Sequence, residues 1–219
     1  MDRPILKQVK ALYAHAPCRD RWHVAGRLRL CPFERLAAYV PLTGLIVDLG
    51  CGHGVFASAL ALESSNRRVV GVEPSAHKLA AARATRPRQD NVFLVQGDVL
   101  SVPLAQPWRA ALLIDVLYLF AREQQEQILR ICSERLEPGG VLLLKEMDDR
   151  PRWKAALNRF EEWLAVRVLQ ITWREADFFT FRSLAEWAAL CRTLGFETEI
   201  VRLDEGYYLP HGAVVGIRR

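Results

Sequence analysis

The chain has 219 residues and contains neither a long hydrophobic run nor a block of like charge. No apolar stretch approaches the roughly 18 residues that a membrane-spanning helix needs, and the N-terminus lacks the continuous apolar segment of a secretory signal. The sequence therefore predicts a cytoplasmic protein without a transmembrane segment. Hydrophobic residues make up 51% of the chain and charged residues 25%, which is typical of globular domains and argues against disorder.

The sequence also lacks closely spaced cysteines and metal-binding motifs. The five cysteines are odd in number and widely spaced, with no CxxC pair, and the chain has no HExxH motif. This pattern favours reduced thiols in the core over disulfides, and it predicts no metal site. The net charge of +5 is spread along the chain, so it does not by itself indicate a nucleic-acid partner.

Apolar runs alternate with helical stretches, which predicts an α/β fold with a mostly parallel sheet. A buried first strand is expected at 44–50, within a domain of residues 41–219 that follows an N-terminal helical cap of residues 1–40. The remaining strands are expected at 67–75, 91–99, within 108–120, at 141–149, and in an antiparallel hairpin formed by 196–206 and 211–219. Residues 151–170 are predicted to form a long helix, 171–182 an aromatic loop, and Ser183 with Glu186 the capping box of a further helix.

Glycines concentrate in the segment DLGCGHG, residues 48–54, between the first strand and a helix. Gly50, Gly52 and Gly54 carry no Cβ and can adopt positive φ, so the backbone here can approach a ligand closely. The spacing fits the dinucleotide motif GxGxxG poorly, and there is no GxxxxGK phosphate loop. A ligand without a pyrophosphate is the better fit.

Two acidic residues follow at the ends of the next strands. Glu73 closes the second strand about 20 residues after the glycines, where a carboxylate can accept hydrogen bonds from both hydroxyls of a ribose. Asp98 closes the third strand, at the edge where open α/β sheets bind ligands. A glycine turn, a ribose acid and a third-strand acid in this order resemble the class I S-adenosylmethionine-dependent methyltransferases, from about residue 44 to 146 and on to the final hairpin.

The resemblance implies a seven-stranded Rossmann-like methyltransferase sheet, mostly parallel with an antiparallel C-terminal hairpin, and S-adenosyl-L-methionine as cofactor. In that family Asp48 supports the glycine loop and the methionine part of the cofactor. Glu73 binds the ribose, Asp98 binds the adenine amino group, and Asp115 lines the methionine and the substrate. The full set of expected cofactor contacts is Asp48, Gly50, Cys51, Gly52, Glu73, Pro74, Asp98, Val99 and Asp115.

The methyl acceptor is less sharply indicated. Amino-group methyltransferases of DNA and RNA carry a [DNS]PP[YFW] motif after the fourth strand, whereas this chain reads IDVLYLF. This favours a small-molecule acceptor, methylated at a hydroxyl of an apolar or aromatic metabolite, over a base amine. RNA methylation at a base carbon or ribose, a lipid acceptor, and a cofactor-binding protein without turnover stay open as alternatives. The chain is expected to be a monomer or a homodimer.

A hydroxyl acceptor must lose a proton, so the sequence also suggests candidate catalytic residues. These are His23 in the cap, His211 in the final hairpin and Glu146 at the ligand edge of the fifth strand, with a purely structural role as the alternative for each. For Glu146, substrate contact is favoured over catalysis, because strand ends at this edge face the ligand. Candidate substrate contacts are Trp22, Arg29, Tyr118 and Lys145.

Two further groups have both a functional and a structural interpretation. Three cap arginines can bind an anionic acceptor or form a solvated helix face; they are Arg27, Arg29 and Arg35. Aromatic residues of the loop can line an apolar acceptor pocket or simply cover the sheet; they are Trp173, Phe178, Phe179 and Phe181.

Overall fold

The residues that the structure describes form a seven-stranded sheet. The computed structural model of the chain describes residues 3–84, 90–101, 107–148, 179–207 and 209–219. The strand order is β3-β2-β1-β4-β5-β7-β6. The strands are β1 (Gly44–Leu49), β2 (Arg67–Glu73), β3 (Val92–Gln96), β4 (Trp108–Ile114), β5 (Leu136–Met147), β6 (Phe196–Arg202) and β7 (His211–Arg218). Strands β1 to β5 pair in parallel, and β7 is antiparallel to β5 and β6, which confirms the predicted mixed sheet and C-terminal hairpin.

Helices cover both faces of the sheet. They are α1 (Arg3–Leu12), α2 (Cys18–Leu30), α3 (Phe33–Ala37), α4 (Val55–Glu63), α5 (Ala76–Arg83), α6 (Arg122–Arg135) and α7 (Leu184–Thr193). Helix α7 begins with the predicted capping box: Glu186 N–H donates to Ser183 Oγ, and Ser183 N–H donates to the Glu186 carboxylate. The helix predicted at 151–170, and the loop residues Trp173 and Phe178, lie outside the described residues.

Successive strand residues face opposite sides of the sheet, so two cores form. In β5, Leu143 packs with the side chains of α1 to α5, whereas Leu142 and Leu144 pack with those of α6 and α7. Because both faces of the central strands are covered, their sequences are continuous apolar runs rather than alternating ones. This explains why the runs could be recognised as strands.

The three N-terminal helices pack on the α4 face of the sheet. Val9 of α1 and Tyr13, which directly follows α1, are buried in the same core as α4, and the ring of Phe33 stacks on Phe56 with centroids 4.9 Å apart. The boundary of the cap at residue 40 stays a prediction. In the described part of the chain, no helix has the length and apolar character needed to cross a membrane.

Strand β5 begins earlier than the sequence indicated. The expected start was residue 141, after Pro138 and two glycines, but α6 ends at Arg135 and Leu136 already pairs with Trp108 of β4. The pairing of β4 with β5 then shifts register between Trp108 and Ala110. Residues 138–140 of β5, a proline and two glycines, therefore form an irregularity within the strand.

Candidate cofactor and acceptor site

The candidate site lies at the carboxyl ends of β1, β2 and β4. In the strand order β2-β1-β4 the chain proceeds to opposite sides of β1, so the connections leave a crevice at this edge. Asp48 lies near the end of β1, Glu73 ends β2, and Asp115 follows β4 directly. The fold therefore brings the predicted acidic residues to one edge of the sheet.

The glycine turn has the backbone conformation that its sequence predicts. Gly50, Gly52 and Gly54 have φ of 77°, 58° and 70°. A Cβ on Gly50 would lie 2.5 Å from Val116 Cγ2, whereas a Cβ on Gly52 would meet nothing within 4 Å. The turn is thus packed against the protein at Gly50 and open at Gly52. That open backbone is a cradle of the kind a cofactor requires.

Glu73 fixes this turn to the end of β2. Its side chain is buried, Gly52 N–H donates to Oε2 at 3.0 Å, and Ser75 N–H donates to Oε1 at 3.0 Å. Each carboxylate oxygen has further lone-pair capacity, so both can still accept from ribose hydroxyls. Pro74 follows Glu73 at the end of β2, and its carbonyl accepts a hydrogen bond from the Gln96 side chain.

Asp48 is a buried carboxylate beside the glycine turn. It is 3% exposed, and its side chain makes no hydrogen bond within the described segments. Burial raises its pKa to about 7, although the charge of Arg27 acts in the opposite direction. A buried carboxylate without a partner calls for a donor or a cation, which a ligand can supply. Burial also raises the pKa of the neighbouring Cys51 thiol.

Asp98 and Val99 follow β3 and differ in their surroundings. Asp98 is exposed, and its Oδ1 accepts from Leu100 N–H at 2.9 Å, which leaves Oδ2 available. Val99 is buried in the core beneath α6. The adenine contact of Asp98 and the other individual roles of these residues stay predictions.

Asp115 carries an ion-pair cluster that sequence reasoning missed. Its carboxylate contacts Lys145 Nζ, and Arg27 Nη1 of α2 lies 2.7 Å from Oδ2. Burial alone would raise the pKa of Asp115, but the two cations outweigh burial and hold the pKa below its usual range. Asp115 also has a φ of 56°, in the left-handed region that Asp tolerates better than most residues. Arg27 thereby connects the cap to the end of β4.

Lys145, which the sequence suggested as a substrate contact, belongs to this ion-pair cluster. The Lys145 side chain is fully buried and its ammonium pairs with Asp115. Nothing in the sequence indicates that Arg27, and not Arg29 or Arg35, joins Asp115 and Lys145 in this cluster. Arg35 donates to the Leu203 carbonyl and lies over the Tyr207 ring, whereas Arg29 is exposed.

The cap also contacts the glycine turn. The Tyr13 hydroxyl donates to the His53 carbonyl, and the rings of His23 and His53 lie 4.5 Å apart. Trp22, which directly precedes His23 in the chain, is 75% exposed and points away from the core. The structure therefore places His23 beside the turn and Trp22 at the surface.

The two candidate bases in the sheet differ in proton affinity. Burial, with the Asp115 charge second, raises the pKa of Glu146 to about 8, and Leu117 N–H donates to its Oε1 at 2.8 Å. Burial, with Lys145 second, lowers the pKa of His211 to about 3. Neither ring nitrogen of His211 has a hydrogen-bond partner in the described part of the chain.

Aromatic side chains gather after β4. Tyr118 stacks on Phe181 with centroids 5.6 Å apart, and it lies 5.5 Å from the ring of Phe179. The buried amide of Gln125 joins the two segments, because its Nε2 donates to the carbonyls of Leu117 and Thr180. Part of the predicted aromatic loop therefore lies at the ligand edge of the sheet.

The fold and this edge define a Rossmann-like protein with a glycine-rich turn at the carboxyl edge of its sheet. Comparisons with known proteins agree: residues 46–140 match the family described as Methyltransferase domain. Trans-aconitate 2-methyltransferase of Paracidovorax citrulli is 35% identical over 128 residues, which are 56% of this chain and 46% of that protein. Ubiquinone biosynthesis O-methyltransferase of Xanthomonas campestris is 26% identical over 166 residues, which are 75% of this chain and 68% of that protein.

Solved structures show the same fold. An O-methyltransferase family protein from Burkholderia thailandensis superposes with a TM-score of 0.72 at 17% identity, over 94% of this chain and 61% of that chain. The matching family model, these curated relatives and this solved structure are all described as methyltransferases, which agrees with the family and the cofactor predicted from the sequence. It spans about half the length of the first curated relatives that it matches.

Proposed function

We propose that the chain transfers a methyl group from S-adenosylmethionine to a hydroxyl of an apolar or aromatic small molecule. The observation that carries this proposal is the aromatic cluster of Tyr118, Phe179 and Phe181 at the ligand edge, after β4. Such side chains form the apolar wall that small-molecule sites require. The cofactor, when bound, supplies an electrophilic methyl group on a sulfonium sulfur.

The cofactor contacts follow from the arrangement of the glycine turn. The open backbone at Gly52 receives the ligand, and the two Glu73 oxygens accept from its ribose. Asp48, buried and unpaired among the described residues, takes a donor from the methionine part. Asp98 keeps one free oxygen for the adenine amino group. These residues position the donor, which matters because displacement at carbon depends on alignment.

An apolar acceptor fits the cap better than an anionic one. Arg27 is engaged with Asp115, and Arg35 is engaged with the Leu203 carbonyl and the Tyr207 ring. An acceptor carboxylate would have to displace these partners or rely on the exposed Arg29. The name of the trans-aconitate relative keeps an acidic acceptor as the second candidate.

Glu146 is the best candidate for the general base. A base works best when its pKa lies near the working pH, and the Glu146 pKa of about 8 is closer to neutral than those of His23 and His211. Because most of Glu146 carries a proton at neutral pH, base catalysis by this residue should increase as pH rises to about 8. The His211 pKa of about 3 makes that ring a weak base at neutral pH, so we assign His211 to packing beneath the site. His23 stays a candidate because it lies beside the glycine turn.

The test has two parts. Calorimetry should detect S-adenosylmethionine and its demethylated product at micromolar dissociation constants, about −8 kcal/mol. Purified chain with labelled cofactor should then methylate phenolic acceptors in preference to matched anilines, aromatic carboxylates, lipids and RNA. Binding without turnover on any acceptor would indicate a cofactor-binding protein. Turnover on RNA or lipid alone would reject the small-molecule proposal, and preference for carboxylates would favour the second candidate.

We also propose that the chain acts in the cytosol, as a monomer or a homodimer. Size-exclusion chromatography with light scattering, in the presence of the cofactor, distinguishes the two states.

A further inference from the structure

Three metal-ligating side chains meet at the surface between α2, the glycine turn and α5. Asp20, His53 and His77 each offer one ligand atom, and these atoms all lie within 4.8 Å of one another. His53 Nε2 lies 3.2 Å from Asp20 Oδ1, and His77 Nε2 lies 4.0 Å from Asp20 Oδ2. Ligand atoms about 2.0–2.1 Å from one tetrahedral Zn²⁺ lie roughly 3.3–3.5 Å apart, so the spacing is close to that of a metal site.

The charge of Asp20 favours a cation at this position. Asp20 is 2% exposed, and within the described segments its carboxylate contacts two imidazoles and no lysine or arginine. Its place in the first turn of α2 offsets part of the charge through the helix dipole. A neutral imidazole satisfies a lone pair of the carboxylate but does not balance its charge, whereas a divalent ion would do both.

The two histidines have complementary positions. His53 is buried, its Nδ1 has no partner among the described residues, and Nε2 is the ring atom directed at Asp20. The side chain of His77 is 67% exposed, so it can make the movement of about an ångström that closure of the ligand set requires. Its exposure also gives an ion a path from solvent and leaves room for water as a fourth ligand.

We propose that Asp20, His53 and His77 bind a divalent transition metal ion, with Zn²⁺ as the best-matched probe. Two imidazole nitrogens and one carboxylate form a ligand set that Zn²⁺ accepts. The ion would join α2 of the cap to the glycine turn and to α5. Its role would be to hold the cap on the cofactor loop, without contact to the reacting methyl group.

The experiment is a metal titration of the chelator-treated, full-length chain, followed by calorimetry with Zn²⁺ and by visible absorption with Co²⁺. We expect one equivalent of ion and a Co²⁺ spectrum of nitrogen and oxygen ligands without a thiolate charge-transfer band. His77→Ala should weaken binding at least about tenfold while circular dichroism is unchanged, because the residue is exposed and contributes one ligand. Asp20→Asn, which retains the side-chain volume, should weaken it similarly.

The matched controls are an exposed histidine and an exposed thiol near the site. His15→Ala should leave the affinity unchanged, and Cys18→Ser tests whether the thiol at the start of α2 binds the ion instead. The proposal is overturned if wild type binds no Zn²⁺ or Co²⁺ at up to millimolar concentration. It is equally overturned if His77→Ala binds as tightly as wild type, or if binding is lost in Cys18→Ser. Because the readout is metal binding, a missing methyl acceptor does not affect it.

Discussion

Replacing Glu146 by glutamine should change how the stability of the protein depends on pH. The carboxyl group is 3% exposed, and its pKa is raised from 4.5 to about 8, first by burial and then by the charge of Asp115. Between these two values the folded chain keeps a proton that the unfolded chain releases. The free energy of unfolding therefore falls as pH rises, by about 1.4 kcal/mol per pH unit for this group.

The sign and the pH window follow from the same two pKa values. The stabilising contribution is complete below pH 4.5 and is lost as pH rises through about 8, a total of about 5 kcal/mol. Asp48, with a pKa raised to about 7, adds a slope of the same sign at lower pH. In Glu146→Gln the amide oxygen can still accept from Leu117 N–H, so the hydrogen bond is kept while the titration is removed.

Denaturant unfolding of wild type and Glu146→Gln between pH 5 and pH 8.5 measures the effect. The stability difference between variant and wild type should shift in favour of the variant by about 3–4 kcal/mol from pH 5 to pH 8. Glu134→Gln, an exposed glutamate of α6, serves as the matched control and should follow wild type. Parallel pH profiles for wild type and Glu146→Gln would refute the assignment of a raised pKa to this residue.

Three other changes test the site. Glu73→Ala should weaken cofactor binding by about 1.5–3 kcal/mol in calorimetry with the fold retained in circular dichroism; unchanged affinity would place the ribose elsewhere. Gly50→Ala should lower the free energy of unfolding by about 1–3 kcal/mol, because the φ of 77° strains a non-glycine residue and the new Cβ meets Val116; Val116→Ala in the same chain should restore part of the loss. Demethylated cofactor should slow amide exchange at Gly50–Gly54 and in α2, and Arg27→Met should reduce the slowing in α2; equal exchange with and without ligand would remove the cap from the mechanism.

The sheet could be predicted because its signals are local. The mostly apolar run at residues 44–50 indicates a buried strand, because it is short and leads directly into the glycine-rich turn. Ser183 and Glu186 define a helix start by themselves. The early start of β5 could not be predicted in this way, because Pro138 and the two following glycines indicate a break, and only pairing with β4 carries the strand through them.

The side-chain clusters of the site are non-local, and this limits what sequence can reveal. Asp20, His53 and His77 are separated by 33 and 24 residues, so no motif spacing announces them. Asp115 and Glu73 were recognisable because a strand end has a fixed place in this fold. Their actual partners depend on which helix packs over that edge, and that is decided by tertiary contacts.

The two ion pairs of Asp115 differ in how easily they break, because Lys145 and Arg27 differ in burial. Lys145 is fully buried, so separating it from Asp115 would leave an uncompensated charge in the core at a cost of several kcal/mol. The Arg27 side chain is 32% exposed, so its guanidinium can return to water at far lower cost. Asp115 and Lys145 therefore form the permanent part of the cluster, and Arg27 is the partner that can exchange. If the cap opens to admit cofactor or acceptor, we expect the ion pair of Arg27 with Asp115 to break and the ion pair of Lys145 with Asp115 to stay intact.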